Sequence, residues 1–225
     1  MAVILNIETS STNCSVSIGK NGDLISLVEK DDAQYSHSEK LHLFIKEALK
    51  NASLSFSDID AIAVSKGPGS YTGLRIGIST AKGFCFSLDK PLISLNTLET
   101  LSHQLKIDEG VIVPMLDARR MEVYSAVFDK DHHEIRATRA EIITPESFGT
   151  YLNEEVVYLM GPGAEKCKEV VTGSNIQVVT SKHVPSAREM ARLSEKKFKT
   201  NDFEDVAYFE PYYLKDFVVT RPKKS

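Results

Sequence analysis

Along the chain the spacing of apolar residues changes from two to three-or-four and back, and these changes lay out the elements. Residues 2–7 form an apolar, β-branched run. After the polar turn at residues 9–13, Cys14-Ser15-Val16-Ser17-Ile18 alternates strictly, as a strand with one buried face does. Gly19-Lys20-Asn21-Gly22 reads as a hairpin turn into a third strand at residues 24–28, so the chain opens as a meander. From Ser36 the period lengthens. Leu41, Phe44, Ile45, Ala48 and Leu49 share one helical face, with Ser36 or Ser38 as N-cap and Asn51 near the end. Residues 59–65 predict a short buried strand, Lys66-Gly67-Pro68-Gly69-Ser70 a loop, and residues 71–88 a helix.

Gly69, Gly73, Gly77 and Ala81 recur at every fourth position of that helical stretch and string small residues along one face. Each glycine inside a helix costs about 0.5–1 kcal/mol relative to alanine, so close packing must compensate. The surface that approaches is either the protein's own sheet or the helix of another chain, and the two uses are compatible on opposite faces. A second cycle echoes the first: a strand at residues 110–116 ending in Asp117, another at 122–128, and His132-His133-Glu134 leading towards a third. Val156-Val157-Tyr158-Leu159-Met160 then runs into Gly161-Pro162-Gly163 and a polar helical segment, as residues 61–65 run into Gly67-Pro68-Gly69. This self-similarity predicts an α/β protein of two related lobes, residues 1–105 and 106–225, each a mixed sheet with flanking helices. A last helix is expected at residues 187–199 after Pro185-Ser186, followed by an aromatic tail, Tyr208-Phe209-Glu210-Pro211-Tyr212-Tyr213-Leu214. Helix and tail are expected to pack back on the N-terminal lobe, and residues 221–225 to lack order.

Composition sharpens this picture mainly by exclusion. The 225 residues are 42% hydrophobic and 26% charged, with no tryptophan and a formal net charge of -4. A chain of this size buries roughly 70% of its unfolded surface and needs no staples. The charge balance offers no overall grip on a polyanion, so contact with nucleic acid is expected to come through a partner. Cys14, Cys85 and Cys167 are far apart and form no CxxC, which points to a reducing compartment. The N-terminal apolar run is too short for a signal peptide or a membrane span, and a cytoplasmic protein without membrane contact is expected.

Candidate chemistry is sparse. The Gly67-Pro68-Gly69 loop opens a helix, but it fits neither a Walker loop nor a dinucleotide fingerprint, because Thr72 stands where the latter needs glycine. None of the six histidines has another three or four residues away, so no metal site is expected, and His132 and His133 read as a solvated hairpin. Ser70 lacks the flanking glycines of a nucleophile elbow. Two acids remain at strand ends, Glu8 and Asp117, one per lobe. Paired carboxylates across a cleft are how actin-like kinases and ATPases hold metal-nucleotide. There the acid is followed by glycine, whereas here Glu8 precedes Thr9-Ser10-Ser11 and Asp117 precedes Ala118-Arg119-Arg120. The first turn still has room for a phosphate; the second is expected to be filled by an arginine paired with Asp117.

Ile7-Glu8-Thr9-Ser10, His37-Ser38-Glu39-Lys40-Leu41, Lys66-Gly67-Pro68-Gly69-Ser70-Tyr71-Thr72-Gly73-Leu74-Arg75-Ile76-Gly77, Asp117-Ala118-Arg119-Arg120-Met121-Glu122-Val123-Tyr124 and Pro211-Tyr212-Tyr213-Leu214 together resemble the TsaB (YeaZ) family. The resemblance implies two lobes of the actin-like ATPase (ribonuclease H-like) type. It also implies a non-catalytic subunit that binds and activates TsaD, the enzyme that transfers a threonylcarbamoyl group to N6 of the adenosine beside the anticodon of tRNA. TsaE, a P-loop ATPase, would join through the complex. The chain alone would form a homodimer, and tRNA would be met only indirectly. No cofactor is expected in the chain itself, with ATP or ADP held at the interface with TsaD. The HxxxH of TsaD has no counterpart in Ser94-Leu95-Asn96-Thr97-Leu98-Glu99-Thr100.

Carried over to this chain, the family's interface is a bundle of two helices from each partner. It would use His37, Leu41, Ile45, Gly69, Thr72, Gly73, Arg75, Ile76 and Gly77, while Glu8, Thr9, Ser10 and Asp117 would be the remnant of a phosphate site. For Arg75 an intramolecular salt bridge is an equal alternative. The competing reading is an actin-like ATPase or small-molecule kinase acting on its own through Glu8 and Asp117. A peptidase has no metal pair or activated nucleophile to support it.

Overall fold

The computed structural model describes residues 2–32, 37–152, 156–181 and 183–215. Two five-stranded sheets share one topology. The first comprises β1 (Val3–Glu8), β2 (Asn13–Lys20), β3 (Asp23–Asp31), β4 (Ala61–Gly67) and β5 (Leu92–Asn96), in the order β3-β2-β1-β4-β5. The second comprises β6 (Val111–Asp117), β7 (Glu122–Asp129), β8 (Glu134–Ile142), β9 (Val157–Met160) and β10 (Ile176–Val178), in the order β10-β9-β6-β7-β8. In each, three strands meander antiparallel and two return parallel. Hairpins suffice for the former, whereas each parallel return needs a crossover. This repeated arrangement is the two-lobed, ribonuclease H-like fold of the actin-like type.

The first sheet is covered on both faces, which is why β1 is buried along its whole length and β4 is apolar on both sides from Ala61 to Val64. Leu5, Ile7, Val16 and Ile18 face α1 (His37–Asn51) and α2 (Tyr71–Leu88), from which Leu41, Ile45, Leu74 and Ile78 complete the core. On the other face Ile4, Ala61, Ala63, Ile93 and Leu95 meet Ala187, Met190 and Leu193 at and before α5 (Met190–Lys199). This helix begins three residues later than its spacing predicts. Instead of capping it, Ser186 bonds Glu29 and accepts from Arg188 N. Ser36, a predicted cap of α1, and residues 221–225 lie outside the described residues.

The second lobe is abbreviated. Where the first has α1 it carries one turn, α4 (Gly149–Leu152), and where α2 would stand it has a 3₁₀ turn at Glu165–Cys167. The helix expected after Gly163 stops because Val170, Val171, Thr172 and Gly173 follow, residues that disfavour helix and carry no further apolar period. Between the sheets lies α3 (Thr97–Ser102), with Leu98 and Leu101 packed on Ile112, Leu116 and Phe128.

A histidine pair closes this joint. His103, which ends α3, stacks on His132 of the β7–β8 turn with ring centroids 4.0 Å apart, and Ser102 Oγ lies 3.4 Å from His132 Nδ1. Only His133 is solvated as predicted for both, paired with Asp129 at 3.0 Å. Burial, with the charges of His132, Arg192 and Lys196, pushes His103 down to about 4, and burial lowers His132 against the pull of Asp129 and Asp131. A depressed histidine favours the folded state above its unfolded value of 6.5, and that contribution is lost as pH falls towards 4. In urea unfolding, the wild type should therefore lose more stability between neutral and acidic pH than His103→Asn does; equal losses would remove the pair from the acid response.

Candidate functional site

The site predicted at the end of β1 is closed by the chain itself. Glu8 is fully buried, and its Oε1 accepts from Ser10 N at 2.6 Å and Ser65 Oγ at 2.8 Å. Its Oε2 is buried without a hydrogen-bond partner among the described residues. Burial therefore raises the Glu8 carboxyl above the usual range, against the hydrogen bonds that favour the carboxylate. The turn that follows folds onto α2. Ser70 N donates to Ser10 O at 2.7 Å and Thr9 Oγ1 to Gly73 O at 2.7 Å, while Ser70 Oγ caps the helix by accepting from Gly73 N at 3.2 Å.

Glycine makes this approach feasible. A Cβ at Gly69, Gly73 or Gly77 would come within 3.0 Å of Ser10 or Thr9. The small-residue stripe thus meets the protein's own turn. Gly67, at φ +107°, lets the loop bend beneath the tail, where Tyr212 N donates to Lys66 O at 2.8 Å.

The second turn is filled by lysine, where an arginine is predicted. Asp117 Oδ1 accepts from Arg119 N at 2.7 Å and from Lys166 Nζ at 2.7 Å, and Lys166 also donates to Arg120 O at 2.8 Å and Glu122 O at 2.5 Å. Nothing in the sequence singles out Lys166, which comes from the far side of β9. The cavity between the lobes, about 630 Å³, has Asp31, Glu165 and His183 as ionisable lining among the described residues, and burial lowers His183 towards its neutral form. The metal-nucleotide that an actin-like fold implies does not fit these residues. Glu8 is buried and held by Ser10 N and Ser65 Oγ, and Asp117 is held by Arg119 N and Lys166 Nζ, so neither carboxylate is left open to a metal-nucleotide.

Of the residues predicted for a partner interface, His37, Leu41, Ile45, Gly73 and Gly77 are buried within the chain, and Gly69 is half-buried. His37 Nε2 lies 2.8 Å from Ser11 O, and Leu41 and Ile45 belong to the core. The buried ones shape α1 and α2 from within. Thr72 and Arg75 are exposed and Ile76 is half-buried. The Arg75 guanidinium sits over the Tyr71 ring at 5.0 Å and makes no salt bridge among the described residues. Periodicity missed the outward residues of the helix pair, Leu43 at 61% exposure, Phe86 at 86%, and Gly83, beyond whose Cβ position there is open space. Inward spacing marks what a helix buries in its own core and is silent about an apolar residue on the other side.

Comparison with known proteins places this geometry. The model of the TsaD family, described as tRNA N6-adenosine threonylcarbamoyltransferase, matches residues 29–220. The tRNA threonylcarbamoyladenosine biosynthesis protein TsaB of Haemophilus influenzae is 29% identical, covering 96% of this chain and 94% of that protein. The chain belongs to the TsaD family, on its TsaB (YeaZ) branch. TsaB of Escherichia coli is 27% identical over 96% of this chain and 95% of its own. The structure of YeaZ from Pseudomonas aeruginosa shares the fold, with a TM-score of 0.80 at 22% identity, covering 95% of this chain and 100% of that one. Among the described residues no helix is long and apolar enough to cross a membrane, and no group of three or more metal-ligating side chains comes together.

The glycines separate structural from surface roles. Gly73→Ala and Gly77→Ala should each lower stability by about 1–3 kcal/mol in urea unfolding, through collision with the Thr9 turn. Gly83→Ala should be neutral or raise it by about 0.5–1 kcal/mol, because helix propensity improves in open space.

Proposed function

We propose that this chain is a non-catalytic accessory subunit that binds and activates TsaD for threonylcarbamoyl transfer to N6 of the adenosine beside the anticodon of tRNA. The observation that carries this reading is the outward face of α1 and α2. Leu43 and Phe86 stand in solvent on either helix, and Gly83 leaves room for a partner's backbone. Thr72, Arg75, Gly83 and Phe86 recur along one side of α2, so the face is continuous. The relatives' name, tRNA threonylcarbamoyladenosine biosynthesis protein, supplies the process. The closure of both turns speaks against an ATPase or kinase working alone.

In this reading residues 1–105 carry the partner-binding helices and residues 106–225 form the second lobe. The same face pairs two copies when TsaD is missing. TsaE joins through the complex, ATP or ADP is held only at the interface with TsaD, and the work takes place in the cytoplasm. The chain shapes its partner and contributes no reacting group. The experiment is threonylcarbamoylation of tRNA by TsaD and TsaE of the same organism with and without this protein, alongside co-elution. We expect modification to depend on the chain and the chain to co-elute with TsaD. Leu43→Glu with Phe86→Glu should abolish both while circular dichroism and melting temperature stay unchanged. Full modification without the chain, or Mg-ATP turnover by the chain alone that Glu8→Ala removes, would overturn the reading.

A further inference from the structure

The acids around the β6–β7 turn are neutralised from within, and the arginines beside them are not. Lys166 takes Asp117, and Lys215 pairs with Glu122. Arg119 and Arg120 are exposed and make no ion pair among the described residues. Both hold left-handed backbone, at φ +71° and +51°, a conformation unfavourable for arginine that the Asp117 and Lys166 hydrogen bonds impose. The turn thus spends its internal contacts on presenting two guanidinium groups to solvent.

Aromatic rings continue the surface. Lys215 lies 6.0 Å from the Tyr124 ring, and two residues before it Tyr213 packs on Tyr71 with centroids 5.1 Å apart. On Tyr71 rests Arg75, also exposed and without a salt bridge. Tyr213 is 41% exposed, so one part of its ring stays open. Glu210 is the acid whose charge reaches Tyr213, and Arg75 opposes it there. Three segments distant in sequence, around residues 71–75, 119–124 and 212–215, thereby form one basic and aromatic surface on a chain whose net charge is -4.

The geometry points to an RNA-binding surface: Arg119 and Arg120 meet phosphates, and Tyr213 takes an unstacked base. Unpaired arginines beside open aromatic faces are the combination that recognises single-stranded loops, since every base has a face to stack and every linkage a charge to neutralise. An acidic protein surface would use the arginines but has no use for an open tyrosine face. This inference rests on the proposed role beside TsaD and adds that the accessory chain touches the tRNA directly, whereas net charge alone predicts indirect contact.

The test measures binding of unmodified tRNA transcript by the complex of this chain with TsaD, by fluorescence anisotropy over a range of salt. Arg119→Gln with Arg120→Gln should weaken binding and lower the slope of log affinity against log salt by about 1.4 to 1.8, the loss of two phosphate contacts. Tyr213→Ala should cost about tenfold with the slope unchanged. Co-elution with TsaD, read on the same samples, should persist in every variant. Unchanged affinity and slope would overturn the inference, and so would loss of TsaD binding by the arginine variant with tRNA affinity intact, which would assign the surface to protein. Failure of the unaltered chain to co-elute with TsaD would instead sink the proposed function. Ultraviolet crosslinking of the unaltered complex to tRNA, followed by peptide mapping, avoids substitutions altogether. Crosslinks should fall within the three segments, and crosslinks confined to TsaD would overturn the inference.

Discussion

Much of the N-terminal lobe depends on how closely the start of α2 lies against the turn after β1. Because Gly69, Gly73 and Gly77 carry no side chain, Thr9 and Ser10 reach the helix backbone and exchange hydrogen bonds with it at 2.7 Å. Glu8 is carried inside by the same approach, and desolvation then disfavours its charged form. The turn after β1 is thereby part of the packing between a strand and a helix.

Duplication of topology did not bring duplication of weight. The first sheet has long helices on one face and α5 on the other, whereas the second relies on one-turn elements and on α3, which it shares with the first. The tail ties the structure further. Glu204 bridges to Leu92 at the edge of β5 and accepts from Ser94 Oγ at 2.5 Å, Lys82 holds Ala207 O and Phe209 O at 3.1 Å, and Lys215 ends on Glu122 of the other lobe. Glu204 N thereby satisfies one backbone carbonyl of the β5 edge, Leu92 O, at 2.8 Å.

Charge is sorted locally. Lysines pair with Asp117 and Glu122, while arginines at 75, 119 and 120 face outward without an ion pair among the described residues. A total of -4 averages over such sorting and says nothing of where one sign collects, because screened charges act over roughly 10 Å and not across the whole protein.

By itself the sequence determined the periods. The alternation of Cys14 to Ile18, the helical spacing of Leu41, Ile45 and Ala48, the span of α2 and the echo of Gly67-Pro68-Gly69 in Gly161-Pro162-Gly163 all follow from local geometry that each segment carries with it. The residues that carry the family resemblance are likewise contiguous, and contiguous motifs need no fold to be read. Tertiary structure alone decided which surface the glycine stripe meets, since a run of small residues specifies that something approaches closely and not what. It also decided that Lys166, 49 residues from Asp117, fills the second turn, and that Tyr71, Tyr124 and Tyr213 share one side of the molecule. Such neighbours are set by how sheets pack and where a tail crosses them, and no spacing along the chain encodes that meeting.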